Sequence, residues 1–268
     1  MTEGLGIIID ESHGATINSF AAVPMTFGAG VDVPPRWVPP LIVESQGRTN
    51  SCAGHAEALA ANHSNFTITG EVLRFSRWFA YITAQLCGGF RGDQGTSIGS
   101  TLDAATRYGV CLEATCPFTE AYSQQLSKAA YTEAEQHKHL GETRYDCRDW
   151  ETAIQWLTDQ RPIIIGTSWY SGQDSCGAVE DRRTASGSFR GYHARCLVGW
   201  DTLNGELCPV VQNSHGASWG ANGRAVITSD LWHSWQQDHN FFAFGFGLID
   251  EVEPQRRSYL TSKAGDSC

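Results

Sequence analysis

The chain has 268 residues, of which 41% are hydrophobic and 11% aromatic, with 19 basic against 29 acidic side chains and a net charge of −10. That apolar content specifies a globular protein and excludes a disordered one. The acidic balance excludes a nonspecific binder of nucleic acid or anionic membrane, because either needs a basic patch, and no run is long and apolar enough for a membrane-spanning helix.

Residues 1–35 read as a packed N-terminal extension, with an added edge strand, a cleft plug or a docking arm as alternatives. Leu5 to Ile9 has strand character, and Pro34-Pro35 and Pro39-Pro40 mark extended chain. The first ten residues have no basic start and end their short apolar run in Asp10, so they are not a signal peptide. With nine cysteines, at least one is unpaired under any scheme. A cytoplasmic or virion-associated location in a reducing compartment is the expectation.

The segment from Gln46 to Ala61 runs from a glycine-containing polar loop into an alanine-rich helix predicted over 52–62, with Asn50 and Ser51 as N-cap candidates. Cys52 stands at the joint, where unpaired N–H groups and the helix dipole lower a thiol's pKa. It is therefore expected to be the most reactive cysteine at neutral pH. A buried free cysteine at a helix start is the competing reading. Gln46 lies upstream on the same loop with an amide able to donate to an oxygen held near the sulfur.

Leu73 to Leu86 has aromatics at near-helical spacing and reads as core. Arg91-Gly92-Asp93 is a loop in which an adhesion tripeptide is a chance match. Ser97 caps a helix bearing Ile98, Leu102 and Ala105 on one face, and residues 119–139 form a polar helical stretch. His137, His139 and Cys147 lack the paired spacing of a metal site, and no cofactor is expected. Asp149 caps a helix with Trp150, Ile154 and Leu157, Arg161-Pro162 stops it, and Ile163 to Tyr170 reads as a buried strand.

A long loop over 171–190 follows. Strands are then expected from Gly191 to Asp201, after a turn at Asn204-Gly205, over 207–213, 224–228 and 241–252, with a mobile tail at 254–268. Helices first and strands later signal an α+β fold.

A cysteine nucleophile needs a base, and the base needs a third group to fix its ring. Cys52, His193 at a strand entrance and Asn213 at a strand end supply these roles in that order. The stretches QGRTNSC, GYHARCLVGW and NSHGASWGANG resemble the papain-like cysteine peptidases, and Gly95 to Ile98, Tyr108 to Glu113 and Cys116-Pro117-Phe118 resemble their prokaryotic or phage-type branch.

The resemblance implies a two-lobed fold over residues 36–253. Its helical lobe would span about 45–150 and its β-sheet or barrel lobe about 160–252, with the active-site cleft between them. It implies a peptidase with nucleophile Cys52, general base and acid His193, orienting Asn213 and oxyanion donor Gln46. Gly95, Thr96, Tyr192, His215 and Trp219 would contact a peptide or protein substrate. A cell-wall peptide hydrolase using the same pair is one alternative, and a catalytically weak structural module of a virus particle or host-interaction complex is another. Thr49 replaces the cysteine that usually precedes the nucleophile by three residues, leaving Cys87 without its usual partner. Ala53-Gly54-His55 replaces Trp-Ala-Phe, and His215 replaces the tryptophan that shields the His–Asn hydrogen bond, so Asn213 is expected to be wet.

Overall fold

The computed structural model describes residues 5–9, 33–139 and 145–246. The expected tail at 254–268, with Cys268, and the end of the last predicted strand lie outside these.

The elements in chain order are β1 (Arg36–Trp37), α1 (Cys52–Thr69), α2 (Arg77–Gly88), α3 (Ile98–Arg107), α4 (Lys128–Ala134), β2 (Tyr145–Asp146), α5 (Trp150–Thr158), β3 (Ile163–Tyr170), β4 (Val179–Glu180), β5 (Phe189–Leu203), β6 (Glu206–Gln212), β7 (Arg224–Ile227), α6 (Ser229–Trp235) and β8 (Phe242–Gly245). The sheet order is β2-β8-β3-β5-β6-β7-β4, with β1 joining β5 by antiparallel pairing. Among the described strands only the β4–β7 pair is parallel. The fold is the α+β arrangement expected, helices in the first half and sheet in the second.

Local signals fix most helix starts. The hydroxyls of Ser76, Ser97 and Ser127 and the carboxylate of Asp149 accept from the third backbone N–H beyond, starting α2, α3, α4 and α5. Arg161-Pro162 then gives way to β3, buried almost throughout because its two neighbours β5 and β8 and helices on the sheet cover it.

α1 runs well past the predicted 62, to Thr69, and closes on Gly70 in the left-handed conformation with its N–H on Phe66 C=O. The run Asn62-His63-Ser64-Asn65 looks like a polar exit, yet all four are buried. His63 meets the Val198 carbonyl at 3.2 Å. The helix is a wedge between two cores. Ala53, Ala56 and Ala60 pack with Ile98, Ile164 and Val198, while Ala58, Ala61 and Ile68 pack with Phe75, Ala80 and Val110. Small side chains on both faces permit this. At Gly54 a Cβ would lie 2.6 Å from the Tyr81 backbone nitrogen, so this position of Ala53-Gly54-His55 is set by the approach of α2.

Two other expectations change. Of the stretch 119–139, only 128–137 is helical, and the preceding residues wrap over α2 with Tyr122 bonded to Gln85. The loop 171–190 contains a 3₁₀ turn and β4. His137 and His139 pack edge-on against Phe75 and Phe246, and no acid, histidine and cysteine cluster among the described residues is built to hold a metal. No described helix is long and apolar enough to cross a membrane.

Candidate active site

Cys52 opens α1 on the helical wall, while β5 carries His193 and Asn213 directly follows β6 on the sheet wall. Ser51 occupies the N-cap position without capping. Its hydroxyl turns to Thr49 Oγ1 at 2.6 Å and to His55 Nδ1 at 3.2 Å. The first-turn N–H groups therefore remain for the sulfur, and the backbone N–H groups of Cys52 and Ala53 lie against it together with that of Ala194. Ala194 follows His193, so the sulfur and the imidazole share one corner between the walls.

His193 Nε2 lies 2.7 Å from Asn213 Oδ1. The Ser214 backbone N–H donates to the same Oδ1 at 2.8 Å, which fixes that atom as oxygen. Nε2 must then carry the proton, and Nδ1 of the neutral ring keeps its lone pair. Nδ1 is buried and has no hydrogen-bond partner. A tautomer with one tethered N–H and one free lone pair is a base.

Burial dominates the electrostatics. It pushes the Cys52 thiol up, against the smaller pull of the surrounding N–H groups. It pushes the His193 imidazole well down, and the Arg195 guanidinium nearby further disfavours a positive charge there. His55 is driven to about 3 by burial first and Arg77 second. Burial thus favours the neutral forms of the Cys52 thiol and of the His193 and His55 imidazoles.

The cover over Cys52 comes from residues 5–9. The Thr96 N–H donates to Gly6 C=O at 2.9 Å, Ile8 N–H to Thr96 C=O at 3.0 Å and Ile7 N–H to Tyr192 C=O at 3.3 Å. The Gly6 N–H reaches the Cys52 sulfur. These five residues, bridged at Ile7 to Thr96, lie between the two walls across the thiol. Ile7 fills an apolar recess beside Ile98 and Gly166, where a Cβ on Gly166 would stand 2.4 Å from the Ile98 side chain. A Cβ on Gly95 would strike Gly6 C=O at 1.9 Å, so only glycine admits a strand so close.

Gln46 is fully buried. One amide N–H bonds Thr49 C=O at 2.7 Å, and its Oε1 accepts from Ser214 Oγ. This ties the loop before Cys52 to the residue after Asn213.

His215 stacks at 33° on His193 with centroids 4.7 Å apart. Asn213 is only 2% exposed, which overturns the expectation of a wet His193–Asn213 pair. The seal comes from Trp169 on β3, edge-on to His193 at 4.7 Å and to His215 at 5.3 Å. Arg195 lies over Trp169 at 5.0 Å and is held by a fully buried pair with Glu180. Trp219, expected at the substrate, belongs to the core instead, with its indole N–H on Gln173 C=O at 2.8 Å.

The sequence reading missed Trp169, Arg195 and Asp93. Alternation along β3 points to Trp169 only once the pairing with β5 is known. Asp93 faces inward: its carboxylate accepts from Asn50 N–H at 2.9 Å and Tyr81 O–H at 2.8 Å. Tyr81 accepts from Gly95 N–H at 3.1 Å, and Gln85 donates to Gly95 C=O at 2.9 Å. The acid of the Arg-Gly-Asp tripeptide thus joins the loop before Cys52 to the strand-pairing loop of Thr96.

Structural comparison places the chain beside several solved cysteine proteases. Xylellain, a cysteine protease from Xylella fastidiosa, superposes with a TM-score of 0.70 at 20% identity over 92% of each chain. Procathepsin B S9 from Trypanosoma congolense gives 0.62 at 17% identity over 92% of this chain and 82% of that one. The Carica candamarcensis protease CMS1MS2, solved with E-64, gives 0.59 at 19% over 80% and 98%. A search of curated proteins finds no match. The family model of the papain family cysteine proteases matches residues 40–239, which include Cys52, His193 and Asn213. On this match the chain belongs to the papain family of cysteine proteases and is a hydrolase of the cysteine endopeptidase type.

Proposed function

We propose that the chain hydrolyses peptide bonds with Cys52 as nucleophile, His193 as base and acid, Asn213 as the group orienting the imidazole, and Gln46 as an oxyanion donor. The observation that carries this reading is the His193 tautomer. Nε2–H is tethered to the Asn213 Oδ1 that also accepts from Ser214 N–H, and a free Nδ1 lone pair stands in the corner where Cys52 opens a helix.

In the reaction His193 Nδ1 takes the thiol proton as the sulfur attacks the scissile carbonyl. The proton then passes to the departing amine, leaving a thioester. Water, deprotonated by His193, attacks the thioester and returns the thiol. The carbonyl oxygen becomes an oxyanion, held by the Cys52 backbone N–H and the Gln46 amide. Such donors contribute about 3 kcal/mol each.

A peptide or protein substrate takes the place of residues 5–9. Its backbone pairs with Thr96 and Tyr192, and Gly95 allows the approach. His215 borders the reacting end beside His193. The recess filled by Ile7 suits an aliphatic side chain. Burial argues for a closed site whose N-terminal strand must leave before substrate enters.

An epoxysuccinyl peptide probe, located by mass spectrometry, tests the assignment on the full chain and on the chain lacking residues 1–9. The expected adduct is on Cys52 and disappears in Cys52→Ala and His193→Ala. An adduct on another cysteine with Cys52 untouched in both proteins would sink it.

A further inference from the structure

Outside the cleft, a second pair of reactive groups is built into the helical lobe. We propose that Cys111 and Cys116 are a redox-active dithiol, a modification site separate from Cys52, which closes to a disulfide in exchange with a small-molecule disulfide such as oxidised glutathione.

The backbone brings the two residues together. Leu112 C=O accepts from Thr115 N–H at 3.0 Å and from Cys116 N–H at 3.2 Å, folding 111–116 into one tight turn. Ser76, the N-cap of α2, then clamps both ends. Its N–H donates to Cys111 C=O at 2.8 Å and its hydroxyl donates to Cys116 C=O at 2.5 Å. The turn brings Cys116 against the apolar cluster that contains Cys111, and both are unbridged.

The pair is asymmetric in the way a disulfide exchange requires. Cys111 is fully buried with Phe79, Ala130 and Ala134. Cys116 is partly exposed and packs against that cluster and the Trp78–Tyr81–Ile82 cluster. The Cys111 neighbour draws the Cys116 pKa down to about 7 against burial and Glu113, while Cys116, burial and Glu133 together push Cys111 up. A half-exposed sulfur near pKa 7 is close to the optimum for attack at neutral pH.

The steps balance. The Cys116 thiolate attacks one sulfur of oxidised glutathione and releases one glutathione thiolate, leaving a mixed disulfide on Cys116. Cys111 loses its proton to solvent and attacks the Cys116 sulfur, expelling the second glutathione thiolate. The protein's two thiols are oxidised to one disulfide, and one oxidised glutathione is reduced to two thiols.

The bridge would stiffen a turn that reaches the active site in two packed steps. Glu113 within it pairs with Arg77 at 2.7 Å and accepts from Phe118 N–H at 2.7 Å. Phe118 then meets His55 edge-on at 5.1 Å, one turn after Cys52.

The test is to incubate the full wild-type chain with oxidised glutathione at neutral pH, quench in acid, block free thiols and digest without reductant. Mass spectrometry should find the Cys111–Cys116 linkage as the first disulfide formed, and Cys52→Ala should form it equally well. Cys111→Ser should trap glutathione on Cys116. Cys116→Ser should leave Cys111 unmodified, a second arm should either variant fold poorly. Glutathione persisting on Cys116 of the wild-type chain, or a disulfide to any other cysteine forming first, would overturn the proposal.

Discussion

Cys52 and Cys116 both sit beside the start of a helix, and their surroundings push them in opposite directions. Cys52 has the better local position, with the N–H groups of α1 uncapped and turned toward it. It is nevertheless raised, because residues 5–9 and the sheet wall take it wholly out of water. Cys116 is half-exposed beside the Ser76 cap and is lowered by one thiol neighbour. A helix terminus is typically worth about 0.3–1 kcal/mol to an adjacent charge, whereas full burial can move a pKa by ~3–5 units. Burial wins. With residues 5–9 in place, Cys116 rather than Cys52 is therefore the thiol predicted to react first.

Uncovering Cys52 gives the largest effect on this contrast. In the full chain, iodoacetamide at pH 7 should modify Cys116 first, and Cys116 labelling should fall as pH drops below about 7. Removing residues 1–9 should speed Cys52 alkylation on the order of a hundredfold, as water returns to the sulfur and its pKa falls. An unchanged Cys52 rate would show that the strand is not what suppresses it.

On the sheet wall, the buried His193–Asn213 bond predicts a larger loss than a hydrated one. Asn213→Ala should lower kcat/KM by about 10–30-fold, near the ~1.5–2 kcal/mol expected for a buried hydrogen bond. A loss below threefold would mean that Trp169 and His215 hold the ring without Asn213. His215→Trp is expected to be harmful, because an indole overpacks a site already sealed by Trp169.

A smaller loss is expected on the helical wall. Asp93→Ala releases Asn50 N–H and the Tyr81 hydroxyl and should reduce kcat/KM about five-fold, near 1 kcal/mol, mainly through KM as Thr96 shifts. Asp93→Asn keeps an accepting oxygen and should recover most of it. Equal damage from both would assign the role to charge.

The smallest effect isolates burial itself. Glu57 on α1 has no hydrogen-bond partner and no exposure, and burial alone raises its pKa well above the ordinary carboxylate range. A raised folded-state pKa favours the native state most below the unfolded pKa, and that contribution is lost as pH climbs through the folded value. Glu57→Leu should therefore raise Tm by about 3 °C at pH 8, roughly one kcal/mol in a chain this size, with a smaller gain at pH 4. An equal gain at both values would mean that packing rather than ionisation is responsible.

Short-range signals carried much of the architecture. Ser97 and Asp149 announced their helices because a cap is a contact three residues long. Cys52, His193 and Asn213 stood out as candidates because a thiol, an imidazole and an amide follow one another in that order, and the geometry puts them on facing walls. What tertiary structure alone decided depends on partners distant in sequence. The Asn62–Asn65 run continues α1 because β5 and neighbouring chain cover it. Asp93 turns inward because Asn50 and Tyr81 wait there, and Trp219 belongs to the core because Gln173 takes its N–H. The strand at residues 5–9 lies over Cys52 only because Thr96 and Tyr192 offer free backbone groups at the spacing of an extended chain. Local rules place a thiol at a helix end; the chain that folds over it sets whether that thiol is charged, because desolvation is a property of the assembled surroundings.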